Sequence, residues 1–297
     1  MSYERILVPT DGSTHAERAT DQALSLASAF DATVHALGVV NVGALAGPYD
    51  WSPPPESFID RYRKQAKKNL EHVEAQWTHP DRYHGEVREG RPSSVILDYI
   101  SEADIDLVAM GTHGRTGLER FVLGSVAEHV LRASPIPILV TRAVEDESPT
   151  LPYQNVLIPT DGSECASGAV DHALAIASAT DATAHVINVF DSVAYSGEPG
   201  SDPPADFLET VERAGTEAIE AVAERFEAAG VDAKTVVMEG RASNGILSYA
   251  EDNDIDAVIM GTHGRSRLDR FLLGSTTERV IRRSDLPVIA VPEAKGE

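Results

Sequence analysis

Displaced by 150 positions, the chain overlays on itself without a net gap. Ile6-Leu7-Val8-Pro9-Thr10-Asp11-Gly12-Ser13 returns as Val156-Leu157-Ile158-Pro159-Thr160-Asp161-Gly162-Ser163. Glu89-Gly90-Arg91 returns as Glu239-Gly240-Arg241, and Met110-Gly111-Thr112-His113-Gly114-Arg115 as Met260-Gly261-Thr262-His263-Gly264-Arg265. A period this long means two copies of a whole domain rather than a solenoid of short units. Each copy is long enough to bury a core of its own. The expected domains are residues 1–145 and 153–297, joined through the polar, proline-containing stretch from Val144 to Pro152.

One copy predicts its own architecture. Arg5 to Val8 is a short apolar run closed by Pro-Thr-Asp-Gly, as in a buried strand. From Ser13 to about Phe30, Ala16, Ala19, Ala23, Leu24, Ala27 and Phe30 recur at helical spacing. A second strand is expected over Thr33 to Val40, an irregular stretch over Asn41 to Ser57, and a long charged helix over Glu56 to about Trp77. A weak third strand (Glu86 to Glu89), a helix (Ser93 to about Ala103), a fourth strand (Asp106 to Met110), a helix (Ser125 to about Arg132) and a last strand (Ile136 to Thr141) follow. Strands alternating with helices imply α/β domains, each an open, doubly wound parallel sheet covered on both faces. Such sheets take ligands beyond the carboxyl ends of their strands, where strand order reverses. The residues after the first and fourth strands are therefore the place to look for chemistry.

Charge narrows the ligand. Asp plus Glu number 47 against 25 Lys plus Arg, a formal net charge of −22. That surface repels nucleic acid and anionic lipid, yet a small anion can still be held by local backbone dipoles. The only lysines are Lys64, Lys67, Lys68, Lys234 and Lys295, and acidic excess with scarce lysine suits a halophile, in whose salt the self-repulsion is screened. No apolar run reaches bilayer length and no signal-type segment opens the sequence, so a cytoplasmic location is expected. Cys165 stands alone, which removes intrachain disulfides and cysteine metal clusters. It reads as a small semi-buried helix residue.

The fourth strand runs into Gly111-Thr112-His113-Gly114, nine residues, then Gly124-Ser125, and the second copy repeats this as Gly261-Thr262-His263-Gly264, nine residues, Gly274-Ser275. Each loop leads from a strand into a helix, where backbone N–H groups and the positive helix end can hold phosphate. Glycine permits close approach of the main chain. No Lys follows as in a Walker loop. Ser125 with Glu128 and Ser275 with Glu278 also fit a capping box, so the serines read as helix caps too, a role compatible with a phosphate contact because a hydroxyl can donate to phosphate while its oxygen accepts from the backbone. Asp11 and Asp161 sit where a strand end opens and can accept from ribose hydroxyls or an adenine amine, or simply close an Asx-turn or cap. Arg115 and Arg265 follow the second glycine of each loop, as phosphate partners or as salt-bridge partners on a solvated loop. His113 and His263 read as loop hydrogen-bonders and receive no catalytic role.

These motifs resemble the universal stress protein family, whose ATP-binding signature is Gly-x-x-Gly, nine residues, Gly-Ser/Thr, and the likeness covers both copies almost end to end. The resemblance implies a Rossmann-like domain of the adenine nucleotide alpha hydrolase kind. It implies that Asp11 and Asp161, flanked by Pro9, Thr10, Pro159 and Thr160, lie near adenine and ribose, and that the backbones of Val39 and Val189 meet the adenine. Gly111, Gly114, Gly124 and Ser125, with Met110 before them and Val126 after, would hold ribose and phosphates. Gly261, Gly264, Gly274 and Ser275, with Met260 and Thr276, repeat the set. Val126 and Thr276 differ, so unequal affinities are expected.

Family likeness also implies pairing through the last strands, Ile136–Thr141 against Leu286–Val291; a homodimer of chains beyond that is a separate expectation. The Pro-rich stretches from Ser52 to Pro55 and from Gly197 to Pro204 read as surface loops or as flaps over the sites. No Ser-Gly-Gly-x-Asp, His-x-Gly-His, H-E-x-x-H or G-x-S-x-G motif occurs, and no general base is paired with a nucleophile. The expected function is therefore regulatory binding of ATP, ADP or AMP, with Mg²⁺ or Mn²⁺ accompanying the phosphates and at most weak ATPase activity. A partner-binding module with little nucleotide dependence is the other reading.

Overall fold

The computed structural model describes residues 1–45, 55–114, 123–142, 151–191, 205–264 and 273–293. The chain divides into two compact units, Ser2–Pro149 and Thr150–Glu297, the latter joined by Met1. In the first repeat the elements run β1 (Arg5–Pro9), α1 (Thr14–Phe30), β2 (Thr33–Val40), α2 (Val42–Leu45), α3 (Glu56–Gln76), a 3-10 turn (Pro80–Arg82), β3 (Tyr83–Glu89), α4 (Pro92–Glu102), β4 (Leu107–Gly111), α5 (Ser125–Ala133) and β5 (Ile138–Thr141). The second repeat runs β6 (Asn155–Pro159), α6 (Glu164–Thr180), β7 (Thr183–Phe190), α7 (Ala205–Ala228), β8 (Ala233–Glu239), α8 (Ala242–Asp252), β9 (Ala257–Gly261), α9 (Ser275–Arg283) and β10 (Val288–Val291).

Strand pairing within each repeat is parallel, in the order β3-β2-β1-β4-β5 and, in the second, β8-β7-β6-β9-β10. The chain winds outward from β1 to β3, then crosses back to β4, so β1 and β4 flank the switch point, as β6 and β9 do in the second repeat. Ile6, Leu7 and Val8 are fully buried, as are Leu107, Val108 and Ala109. Both strands are sealed on both faces, which explains their continuous apolar runs. Each of the Ile, Leu and Val side chains among them contributes roughly 1.5–3 kcal/mol by leaving water.

Side-chain alternation along β2 separates the two faces. Ala36 packs with Leu70 and Val73 of α3, and Val40 with Ile59 and Ala66, whereas the odd-numbered His35 meets Tyr99 of α4, Nδ1 to hydroxyl at 3.1 Å. Helix α1 lies over β1 and β4 through an alanine-rich face of Ala16, Ala19, Ala23 and Ala27. That thin face brings α1 close: a Cβ on Gly111 would stand 2.7 Å from His15 Cβ and 2.8 Å from its carbonyl carbon. Ser13 caps α1, accepting from Ala16 N–H at 3.3 Å, and Asp31 ends it in the left-handed region at φ 58°.

The third strand is longer than its apolar pattern suggests, beginning at Tyr83 instead of Glu86. Tyr83 pairs Val34 and anchors its hydroxyl on Leu70 carbonyl at 2.7 Å, a tertiary contact that the edge-strand pattern does not reveal. Among the described residues no helix is long and apolar enough to cross a membrane.

Candidate functional site

Beyond the carboxyl ends of β1 and β4 two loops meet. In the first, Thr10 N–H donates to Leu37 carbonyl at 2.9 Å, prolonging the β1–β2 ladder by one bond. The chain then turns: Gly12 N–H donates to Thr10 Oγ1 at 3.2 Å, Ser13 N–H to Asp11 Oδ1 at 3.0 Å, and Gly12 takes φ +74°. Thr160, Asp161, Gly162 and Ser163 repeat the turn at 2.9, 3.2 and 3.0 Å, with Gly162 at φ +75°. Asp11 and Asp161 thus close Asx-turns through Oδ1, while capping belongs to Ser13 and Ser163. Their other oxygens face the glycine loops. A Cβ on Gly114 would lie 2.7 Å from Asp11 Oδ2, and one on Gly264 2.9 Å from Asp161 Oδ2.

The two described ends of the second loop are tied by backbone bonds. Thr112 N–H donates to Thr141 carbonyl at 2.9 Å, and Gly124 N–H returns to Thr112 carbonyl at 2.8 Å, which sets the start of α5 beside the tip of β4. Thr262 and Gly274 do the same at 2.8 and 2.8 Å. A Cβ at Gly124 or Gly274 would fall 3.0 or 2.8 Å from the Thr112 or Thr262 oxygen. Part of the glycine spacing therefore serves close packing of the loop on itself.

The capping-box reading of the serines does not survive. Gly124 is the N-cap of α5 and Gly274 that of α9, neither helix has a side-chain cap bond, and Ser125 and Ser275 are the first helical residues. Glu128 pairs instead with Arg132 at 2.7 Å and Glu278 with Arg282 at 2.8 Å, one turn further on. The exposed serine hydroxyls and the first-turn N–H groups stand at the positive helix end, an arrangement suited to an anion.

Val39 and Val189 lie two residues past the points opposite the ends of β1 and β6, where Pro9 pairs Leu37 and Pro159 pairs Ile187. Leu37 carbonyl points toward β1, where it meets Thr10, and Val40 carbonyl points toward β3, where it accepts from Gly90 at 3.0 Å. By the period of two, the Val39 peptide edge faces the β1 side, where that strand has stopped. Ile187 carbonyl to Thr160 and Phe190 carbonyl to Gly240 (2.8 Å) orient Val189 likewise. Pro9 and Pro159 end their strands, Met110 and Met260 are buried just before the glycine loops, and Val126 and Thr276 are half-buried at the second helical position. Arg115 and Arg265 lie outside the described residues.

His113 Nδ1 meets Thr112 Oγ1 at 3.2 Å and its ring lies 5.4 Å from that of His15. Burial first, then His15 and Arg142, lower its pKa. The second repeat keeps the His263–Thr262 contact at 3.0 Å but has Cys165 in place of His15. Burial pushes the Cys165 thiol up, against a nucleophilic role. Among the described residues no group of three or more His, Cys, Asp or Glu gathers as a metal site.

Two buried polar residues at the loops escape motif reading. Asn188 Nδ2 donates to Thr160 carbonyl at 2.7 Å, and Thr277 Oγ1 to Gly261 carbonyl at 2.8 Å. Only the self-overlay hints at them, since the first repeat has Gly38 and Ala127 there.

A model of the Universal stress protein family matches residues 2–142 and again 152–292. A universal stress protein of Synechocystis sp. is 27% identical over 306 residues, covering 96% of this chain and 99% of its own length. One from Methanocaldococcus jannaschii is 37% identical over 145 residues, 49% of this chain and 85% of the relative. The crystal structure of a universal stress protein from Archaeoglobus fulgidus shares the fold at a TM-score of 0.71 and 24% identity, over 100% of this chain and 98% of that one.

Proposed function

Because this chain belongs to the universal stress protein family, with one family domain in each repeat, we propose that each domain binds one adenine nucleotide, ATP, ADP or AMP, in a regulatory stress response. The single observation that carries this reading is the junction at each switch point. A helix N-terminus without a side-chain cap, opening on an exposed serine, sits beside the tip of the fourth strand, and the aspartate of the first loop abuts the glycine loop. In this reading the helix ends and serines take phosphate, the aspartates take ribose or adenine, and the Val39 and Val189 peptide edges meet the base. A Mg²⁺ or Mn²⁺ ion would arrive with the phosphates. Hydrolysis is at most slow. The same proposal includes domains 1–145 and 153–297, pairing of the repeats through their last strands, a homodimer, a cytoplasmic location and a salt-loving source.

The test is to denature the purified chain, identify released nucleotide by mass spectrometry, and titrate the stripped protein with ATP by calorimetry. About two nucleotides per chain support the reading. Gly114→Val with Gly264→Val should abolish the heat, since a Cβ there falls 2.7 Å from Asp11 Oδ2 or 2.9 Å from Asp161 Oδ2, with no backbone atom among its nearest neighbours. No release and no heat at millimolar ATP would overturn it in favour of a module that works through protein partners. Sedimentation at micromolar concentration tests the homodimer, and a monomer would overturn it.

A further inference from the structure

We propose that the two sites are unequal and that the second repeat holds the tighter one, because Asn188 and Thr277 brace the loops that would grip the ligand; this rests on the nucleotide reading above. Asn188 lies near the end of β7 with 6% exposure. Its amide takes Thr160 carbonyl at 2.7 Å, the acceptor that a continued parallel ladder would offer to Val189 N–H. The tie thus fixes the first loop and leaves the Val189 edge turned toward the cleft. Room for it comes from α7, where a Cβ on Gly215 would stand 2.5 Å from Asn188 Oδ1. In the first repeat the bulk is exchanged: Gly38 lies in the strand, and a Cβ there would come 3.1 Å from Ala66 Cβ of α3.

Thr277 is the matching tie on the other loop. It sits in the first turn of α9 with 3% exposure, and its hydroxyl reaches 2.8 Å across to Gly261 carbonyl at the tip of β9. Ala127 occupies this place in α5, equally buried and without a donor. Both ties hold main-chain carbonyls flanking one switch point, and Gly38 and Ala127 can make neither. A loop held in place before the ligand arrives loses less freedom on binding, so its affinity is higher. Thr276 adds a second hydroxyl beside Ser275 where α5 offers Val126. The second site is therefore filled first as nucleotide rises, and the first responds over a higher range.

The full chain, stripped of ligand, is titrated with ATP by calorimetry, with thermal midpoints checking the fold of each variant. The parent should show two steps. Thr277→Val, which keeps the β-branch and removes the donor, should weaken only the tighter step, by about fivefold, the scale of one neutral hydrogen bond. Thr277→Ser should restore it, and Ala127→Ser should tighten the weaker step without touching the other. Asn188→Ala, an independent variant, should act like Thr277→Val. Two equal steps in the parent, or a tighter step indifferent to both Thr277→Val and Asn188→Ala, would overturn the inequality while leaving nucleotide binding intact. No heat at all would overturn both.

Discussion

At the scale of single residues, Gly111 of the fourth-strand loop serves close packing, whatever that loop binds. Gly111 lets α1 ride directly on β4, and its missing Cβ would meet His15 main-chain atoms at 2.8 and 2.9 Å, contacts that no rotamer relieves. Gly111→Ala should therefore cost about 1–3 kcal/mol, the usual penalty of overpacking, read from the urea midpoint. A half-buried histidine sets a pH limit. Burial first, then His84 and Arg5, lower the pKa of His35 to about 4, while its ring nitrogen meets Tyr99 hydroxyl. A histidine whose folded pKa lies below its unfolded value opposes folding once the unfolded chain binds the proton. Its share of stability is whole above about pH 6.5 and drains as pH falls toward 4. The urea midpoint should fall over that window, and less steeply in His35→Gln. An equal slope in both proteins would show that His35 carries none of it.

At the scale of elements, two kinds of helix start coexist. The first helix of each repeat is capped by a serine side chain, Ser13 to Ala16 N–H and Ser163 to Ala166 N–H (3.3 and 3.2 Å), and neither start carries the glycine-loop signature. The last helix of each repeat starts on a glycine with its first serine exposed. Ser13→Ala should lower stability by about 1 kcal/mol by differential scanning calorimetry. Ser125→Ala should leave stability within about 0.5 kcal/mol, as for an ordinary surface position, while weakening ATP binding. The reverse pattern, stability lost at Ser125 with ATP binding unchanged, would return that serine to a capping role. Of these four serines, the S-x-x-E pattern falls at Ser125 and Ser275, which do not cap, and is absent at Ser13 and Ser163, which do. What separates them is where the chain comes from: Gly124 is tied back to Thr112, which makes the glycine, not the serine, the first half-helical residue.

At the scale of the whole molecule, a formal charge of −22 on 297 residues outweighs the local ion pairs. Arg63 gathers Glu56, Asp60 and Glu89, and Arg88 gathers Glu86 and Glu102, yet these are partly exposed pairs worth little each. Repulsion among the remaining carboxylates should make the fold salt-dependent. Raising KCl from roughly 0.1 M to 1 M shortens the screening length from about 10 Å to about 3 Å, and the thermal midpoint should rise with it. A midpoint that falls on adding salt would mean that specific pairs, not net repulsion, dominate.

The duplication, the strand and helix alternation and the glycine loops are written into the sequence because they depend on local spacing: apolar periodicity, a Pro-Thr-Asp-Gly stop, a nine-residue gap repeated 150 positions later. Such features survive being read one segment at a time. The strand order, the early start of β3 at Tyr83, the identity of the true helix caps and the ties from Asn188 and Thr277 do not. Each depends on what lies opposite after folding. Tyr83 becomes a strand residue because Leu70 accepts its hydroxyl, and Asn188 fits because α7 supplies a glycine beside it. Local pattern decided which elements form and where the glycine loops fall; close packing between distant segments decided which side chains tie down the carbonyls at their ends.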